Sequence, residues 1–432
     1  MAGTASPASQ PTTSLHRTLG LLEVTAGGVG IIIGAGIYVL LGAATAHAGP
    51  QVWVAFLIAA VLSALTGLSY AELSSMFPSA AGEYEYTRQA LPEWIAFLVG
   101  WTMIVGLVVA AATVSIGFAR YVEYFVDVEP RATSLGLLLT VCGVAAIGVK
   151  ESARLMVALS AIQVGGLVLV TAIGLPHVGD VDLLRGFGVG GVLSAAALVF
   201  FAFIGFDEVI TLAEETREPT RTVPRALLLA LGLSTVLYVV VAVSAVSVLG
   251  AGPLAASPRP LADVMAHVLG DTGGTVVAAI AVLTTMNTTL LAVTAASRVL
   301  YGMARARALP QYLALVHPTR RTPMRAILAA GVAASAFAMF GNFTVIAAVT
   351  DFAVYVVFLA VNGTVIILRR RRPDLPRPFT LPGSIKGIPI VPVLGLASVA
   401  LMMTHLDPRA IGIGTATCGV GIVAGWLLRA RP

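Results

Sequence analysis

Two short stretches of this chain combine glycine with polar chemistry that an apolar helix does not need. The first, GGVGIIIGAGIYVLLG (Gly27 to Gly42), sets Gly34, Ala35 and Gly36 in the middle of an apolar run. The second, FFAFIGFDEVITLAEE (Phe200 to Glu215), follows Gly205 closely with Asp207 and Glu208. A proline comes after each centre at the same interval, Gly36 to Pro50 and Gly205 to Pro219. Main chain that leaves helical geometry inside a bilayer is tolerated only where it lines a cavity or is buried in protein, and interruptions at matching places in two halves of a chain point to a substrate site. At such a site the free amides of Gly34, Ala35 and Gly36, at the start of a half-helix, attract an anion such as a carboxylate. The carbonyls left open where half-helices end, near Ile32 and near Phe201 to Ile204, suit an ammonium group. Amides and carbonyls side by side match a zwitterionic α-amino acid. The competing reading is that Gly34, Gly36 and Gly205 only let helices pack closely.

An ionised side chain at mid-bilayer costs about 2.5 to 3.5 kcal/mol, so each buried acid calls for a partner or a role. Asp207 and Glu208 are candidates for carrying protons, for lining the cation side of the site, or for capping the inner half-helix, where an acid is stabilised by free amides. Asp351, about 12 Å inside the outer face, is read either as a selector of cationic substrates or as a hydrogen-bonding partner for a neighbouring helix. Glu23 and Glu72 are read as packing or inner-gate groups. Glu214, Glu215 and Glu218 with Arg217, Arg221 and Arg225 form either an ion-pair gate or a solvated loop. The six histidines show no HExxH or paired spacing, so neither a metal nor a cofactor is expected. No nucleophile and base face each other as an enzyme requires, and no repeated charged or carbonyl-rich filter marks a channel. A membrane sensor that keeps the site but signals instead of transporting needs an output domain, and no long polar segment supplies one.

The elements that must hold these residues are transmembrane helices. Of 432 residues 58% are hydrophobic and 11% charged, against about 25% charged in soluble domains. Apolar runs long enough to span recur throughout, which marks an all-α polytopic membrane protein and removes nucleic-acid binding as the meaning of the +5 charge. Twelve spans are expected, at 18–43, 52–77, 93–124, 133–149, 152–175, 190–214, 224–249, 273–304, 324–340, 343–368, 389–404 and 410–428. With the N-terminus inside, 21 of the 26 Lys and Arg fall in or beside cytoplasmic segments, so both termini are expected in the cytoplasm. Residues 1–17 read as a disordered cytoplasmic tail. Five spans separate the two breaks, so the first span runs outward and the sixth inward. That predicts an inverted repeat, residues 18–175 against 190–368, followed by two added helices and a short tail in 389–432. Cys142 and Cys418 lie inside apolar spans and imply no redox role.

Several blocks together carry a family resemblance: GVGIIIGAGIYVLLGAATAHAGP, YAELSSMFPSAAGEYEYTRQALP, FFAFIGFDEVITLAEETREPTRTVPRAL, SRVLYGMARARALP with HPTRRTP, and LRRRRPDLPRPFTLPG. In this order they resemble the amino acid, polyamine and organocation superfamily of permeases, closest in look to bacterial relatives of the cationic amino acid transporters. The resemblance implies the LeuT-type fold and alternating-access transport of an amino acid. It implies that Gly34 to Gly36 form the carboxylate-binding turn, that Ile32, Phe201 and Ile204 direct carbonyls at the substrate amine, and that Phe201 lids the bound substrate. Many proton-coupled members keep a lysine a dozen residues after an ESAR-like segment. Here Glu151 to Arg154 place Gln163 at that position. Gln163 cannot titrate, so either a proton rides on another group, with Glu208 preferred, or the protein is a facilitator or exchanger.

Overall fold

The computed structural model describes residues 19–77, 82–148, 153–185, 188–385 and 387–429. The expected tail at 1–17, Lys150, Glu151, Ser152, Lys386 and the last three residues lie outside them. The helices are α1 (Leu21–Ile32), α2 (Gly36–Ala48), α3 (Val52–Met76), α4 (Gly82–Arg88), α5 (Glu93–Val122), α6 (Pro130–Ile147), α7 (Ala153–Gly174) and α8 (Val189–Val199), then α9 (Pro219–Leu249), α10 (Ala251–Ala256), α11 (Pro260–Arg305), α12 (Met324–Phe340), α13 (Phe343–Arg371), α14 (Ile390–Met403) and α15 (Pro408–Arg429). Among the described residues nine helical segments are long and apolar enough to cross a membrane, and Leu21–Ile32, Met324–Met339 and Ile390–Met403 are shorter apolar helices. This is an all-α polytopic membrane protein.

Local chemistry sets the ends. Gly49 closes α2 at φ 60° and Pro50 follows it in a single 3-10 turn, so α2 turns straight into α3; a non-glycine residue strains at that angle. The Glu129 side chain caps α6 through the Ala132 amide at 2.6 Å, and Asn342 caps α13 through the Thr344 amide at 3.1 Å. The eighth span begins earlier than the sequence suggests: helix runs from Pro260, with a kink at Gly270, φ 68°. The first span is broken as expected, between Ile32 and Gly36. The sixth differs in kind. After α8 come 3-10 turns over Phe200–Phe203 and Phe206–Glu215 instead of a second α-helical half.

The interior is largely apolar: α5 packs against α11 and α13, α3 against α8 and α9, α1 against α9, and α2 against α8. The two broken segments therefore lie against each other. At the arginine-rich end the chain ahead of α1 is also tied to the chain beyond the second break, by a bridge between Leu19 and Thr216 and an Arg217 amide that donates to the Leu19 carbonyl at 2.8 Å.

The same end holds a buried charge cluster. The Glu72 carboxylate on α3 is 1% exposed and accepts two hydrogen bonds from the Arg369 guanidinium at the end of α13, the Nε one at 2.9 Å. The Leu381 amide donates to Glu72 at 2.9 Å, Arg377 Nε lies 3.6 Å away, and Ser75 pairs with the main chain of Phe379. Arg377 in turn donates to the carbonyls of Leu368, Arg372, Pro373 and Leu375. The loop after α13 is thus strapped across the end of α3. Glu72, read from sequence as a packing or gate group, is the anchor. Removing one partner of a buried pair strands the other charge, at about 3 kcal/mol or more. Glu72→Ala and Glu72→Gln are both expected to lower the melting temperature in detergent markedly, since each strands the guanidinium charge; a Glu72→Gln protein as stable as the parent counts against the ionic anchor.

Candidate functional site

At the first break the amide accounting differs from the expectation of three free donors. The Gly34 amide bonds to the Ile32 carbonyl at 2.8 Å, and the Ala35 amide donates to Thr288 Oγ1 on α11 at 3.2 Å. The amides that have no intrahelical acceptor are those of Gly36, Ile37 and Tyr38, the first turn of α2. The positive end of the helix thus lies two residues further along than Gly34 to Gly36 imply. Gly34 is half-buried and faces Thr288: a Cβ on it meets Oγ1 at 3.3 Å.

Gly36 is fixed by packing. A Cβ there lies 2.5 Å from Ala202 Cα, on the second broken segment. Gly205 has φ 111°, and a Cβ on it lies 3.2 Å from Ile31. These glycines let the two breaks touch, so the close-packing reading holds at Gly36 and Gly205. It does not account for the open amides.

The carbonyls are engaged in a way the sequence did not announce. Tyr238 on α9 is fully buried, with its hydroxyl 2.8 Å from the Ile32 carbonyl and 2.9 Å from the Ala202 carbonyl. One hydroxyl proton thus serves an acceptor from each break, and a buried tyrosine hydroxyl needs such a partner. Phe201 is buried, and its carbonyl accepts from the Ile204 amide at 3.3 Å, a long contact. Ile204 is half-buried, in extended geometry at ψ 135° beside Gly205.

Gln163 does reach the broken region. Its carbonyl accepts the Tyr38 hydroxyl at 2.8 Å, while its side-chain Oε1 is buried without a hydrogen-bond partner. Asp207 caps the second break, with Oδ1 accepting from the Gly205 amide at 3.1 Å. Beside it stands an acid that sequence reasoning missed: Glu83 on α4, which accepts from the Tyr70 hydroxyl at 3.0 Å and interacts with Asp207. Burial, with the charges of Asp207 and Glu208 adding to it, pushes the Glu83 carboxyl up to about 7. Glu208 feels Asp207 and, with the opposite sign, Arg298 on α11. Asp351 is buried on α13, away from this trio. Glu23 only caps its own helix through the Gly20 amide at 3.0 Å. Glu214 and Glu215 lie outside the described side chains.

Helices broken inside an apolar bundle, with donors and acceptors turned to one shared junction, are the architecture of a membrane transport protein. Residues 19–420 match the amino acid permease family, and the chain belongs to that family. It is similar to the branched-chain amino acid permease BcaP of Bacillus subtilis (strain 168), 32% identical over 422 residues, which cover 91% of this chain and 89% of that one. It is also similar to the methylthioribose transporter of the same organism, 30% identical with 91% and 89% covered. To the vacuolar cationic amino acid transporter 4 of Arabidopsis thaliana it is 30% identical, with 83% of this chain and 64% of the relative covered. These relatives are permeases and transporters, and this chain is a multi-pass permease, not an enzyme.

Two substitutions test the junction. Tyr238→Phe removes the shared hydroxyl and leaves a carbonyl at each break without it; stability is expected to fall by about 1 kcal/mol and transport to slow. Gly36→Ala forces the Ala202 main chain away and is expected to abolish transport. Wild-type rates in Gly36→Ala show that the contact between the breaks is dispensable.

Proposed function

We propose that this permease is a secondary transporter of an α-amino acid, working by alternating access in the cytoplasmic membrane with both termini inside. The proposed layout is twelve spans in a LeuT-type inverted repeat, 18–175 against 190–368, with 389–432 added. The observation that carries the reading is the junction of the two breaks. The α2 amides of Gly36, Ile37 and Tyr38 offer an anion site, the carbonyl-rich turn at Phe201 to Gly205 lies against it, and Phe201 is the proposed lid. A substrate that carries both a carboxylate and an ammonium on one carbon answers both ends. Two of the relatives are named for branched-chain and cationic amino acids, which share that backbone and differ beyond it.

For coupling, the trio of Glu83, Asp207 and Glu208 replaces Glu208 alone as the proposed proton carrier. Asp207 is engaged as a cap, and Glu83 titrates near the pH of the cytoplasm. A carboxyl raised to about 7 is neutral below that pH and ionised above it. An exchanger or facilitator without ion coupling is the alternative.

In proteoliposomes, a free amino acid is expected to drive counterflow, while its methyl ester and its N-acetyl form fail to compete. Competition by either derivative as strong as by the parent overturns the assignment of the two ends. Gradient-driven uptake is expected to fall as the pH rises through about 7, as the carrier ionises. Glu83→Gln and Glu208→Gln are expected to retain counterflow but lose gradient-driven accumulation; accumulation unchanged in both removes the trio from coupling.

A further inference from the structure

Asp351 is a carboxyl that neither the junction nor the carboxyl trio uses. It is 0% exposed, and neither carboxylate oxygen has a hydrogen-bond partner among the described residues. Its neighbours on the same stripe of α13 fix the direction it faces. Tyr355, one turn on, donates to the Ala197 carbonyl of α8 at 3.2 Å, and its ring lies 4.8 Å from that of Phe200. Phe358 continues the stripe against Phe200 and Phe206, and Asn362 continues it onto α3. Asp351 therefore lies one turn beyond the aromatic contact between α13 and the second broken segment, on the side away from the arginine-rich end.

No counter-charge faces it among the described residues. On its own helix the nearest titratable group is the Tyr355 hydroxyl, which feels its charge. The facing helix α8 carries none, nor does α14, and α5 carries none between Glu93 and Arg120. Arg120 is held over the Phe343 ring at 4.2 Å, about 12 Å nearer the start of α13. On α15, which meets α13 at Gly414 against Phe352, the thiol of Cys418 is turned to Thr102 and Arg409 is exposed. Tyr70 on α3 pairs with Glu83 on α4, Glu72 is held by Arg369, and Glu85 and Arg88 on α4 pair with each other. A bare carboxylate in such a place is strongly disfavoured, and either a proton or water relieves it.

We propose that Asp351 is a proton-binding site that locks the bundle shut on the side away from the arginine-rich end. With the proton bound, α8 and α13 close over the neutral acid through Tyr355 and Phe200. When α8 and α13 part, water reaches the carboxyl and the proton leaves. The inference rests on the alternating-access reading, but the site is separate from the carboxyl trio and acts on the opposite gate.

The test reads accessibility, so that its failure is distinct from failure of transport. Ala197→Cys, in a background with Cys142→Ala and Cys418→Ala, is labelled in proteoliposomes by a membrane-impermeant thiol reagent at pH 6 and pH 8. The same labelling is repeated with Asp351→Asn and with Asp351→Glu added. An ionised carboxylate at position 351 disfavours the nearby thiolate, so the thiol's own ionisation works against the rise in labelling expected at pH 8. The ratio of labelling rates, pH 8 over pH 6, is expected to be several-fold larger with Asp351 in place than in Asp351→Asn, which labels slowly at both pH values. Asp351→Glu keeps a carboxyl that can exchange a proton and is expected to keep the pH response. Equal ratios with Asp351 and with Asp351→Asn overturn the proposal, as does loss of the response in Asp351→Glu when its melting temperature matches that of the parent. Counterflow measured on the same vesicles decides the transport reading by itself.

Discussion

Every main-chain amide and carbonyl buried in an apolar bundle must find a partner, and the structure is organised around the place where helical bonding cannot supply one. Between Ile32 and Gly36, and again between Val199 and Pro219, the chain leaves α-helical geometry. Three devices make this tolerable. Thr288 takes the Ala35 amide, Tyr238 serves a carbonyl from each break, and Asp207 takes the Gly205 amide. What they leave unsatisfied, the first-turn amides of α2, is what a substrate anion can satisfy. Stability and the proposed binding thus draw on one inventory of backbone groups.

The partners come from three different helices or segments, and this explains what was legible in the sequence. The breaks themselves were readable, because glycine in a long apolar run is a local signal. Tyr238 and Thr288 were not, since a single tyrosine or threonine in an apolar helix carries no spacing that points to an acceptor far away in the chain. Glu83 was hidden for a related reason: hydropathy places it in a loop, and only the folding of α4 against the bundle brings it to Asp207. Gln163 was found through family likeness, and its carbonyl does meet Tyr38. The register of the open amides was missed by two residues because Gly34 and Ala35 find acceptors of their own.

The glycines answer two demands at once. Gly36 lacks a Cβ because Ala202 occupies that space, and its amide is among those with no helical acceptor. A glycine that permits contact between the breaks and a glycine that exposes an amide cannot be distinguished from sequence, and here they are the same residue. The closeness matters to binding as well, since only breaks in contact bring donors and acceptors within the span of one small molecule.

The buried acids show how differently the two ends of the bundle are held. Glu72 sits among guanidinium groups and amides, and its partners come from α13 and the loop beyond it, so that end of α3 is bound to α13 by charge-assisted bonds. Asp351 lies on the same helix as Arg369 but faces apolar groups of α8 and the Phe200 ring just beyond it. In the proposed lock, closure there depends on packing and on one neutral acid, contacts that a proton and water can exchange. A helix pinned at one end and held at the other by reversible contacts is free to swing about the pinned end, and the proposed alternating access would use these two carboxyl groups in that way, with the pin at α3 and the swing at the α8 contact.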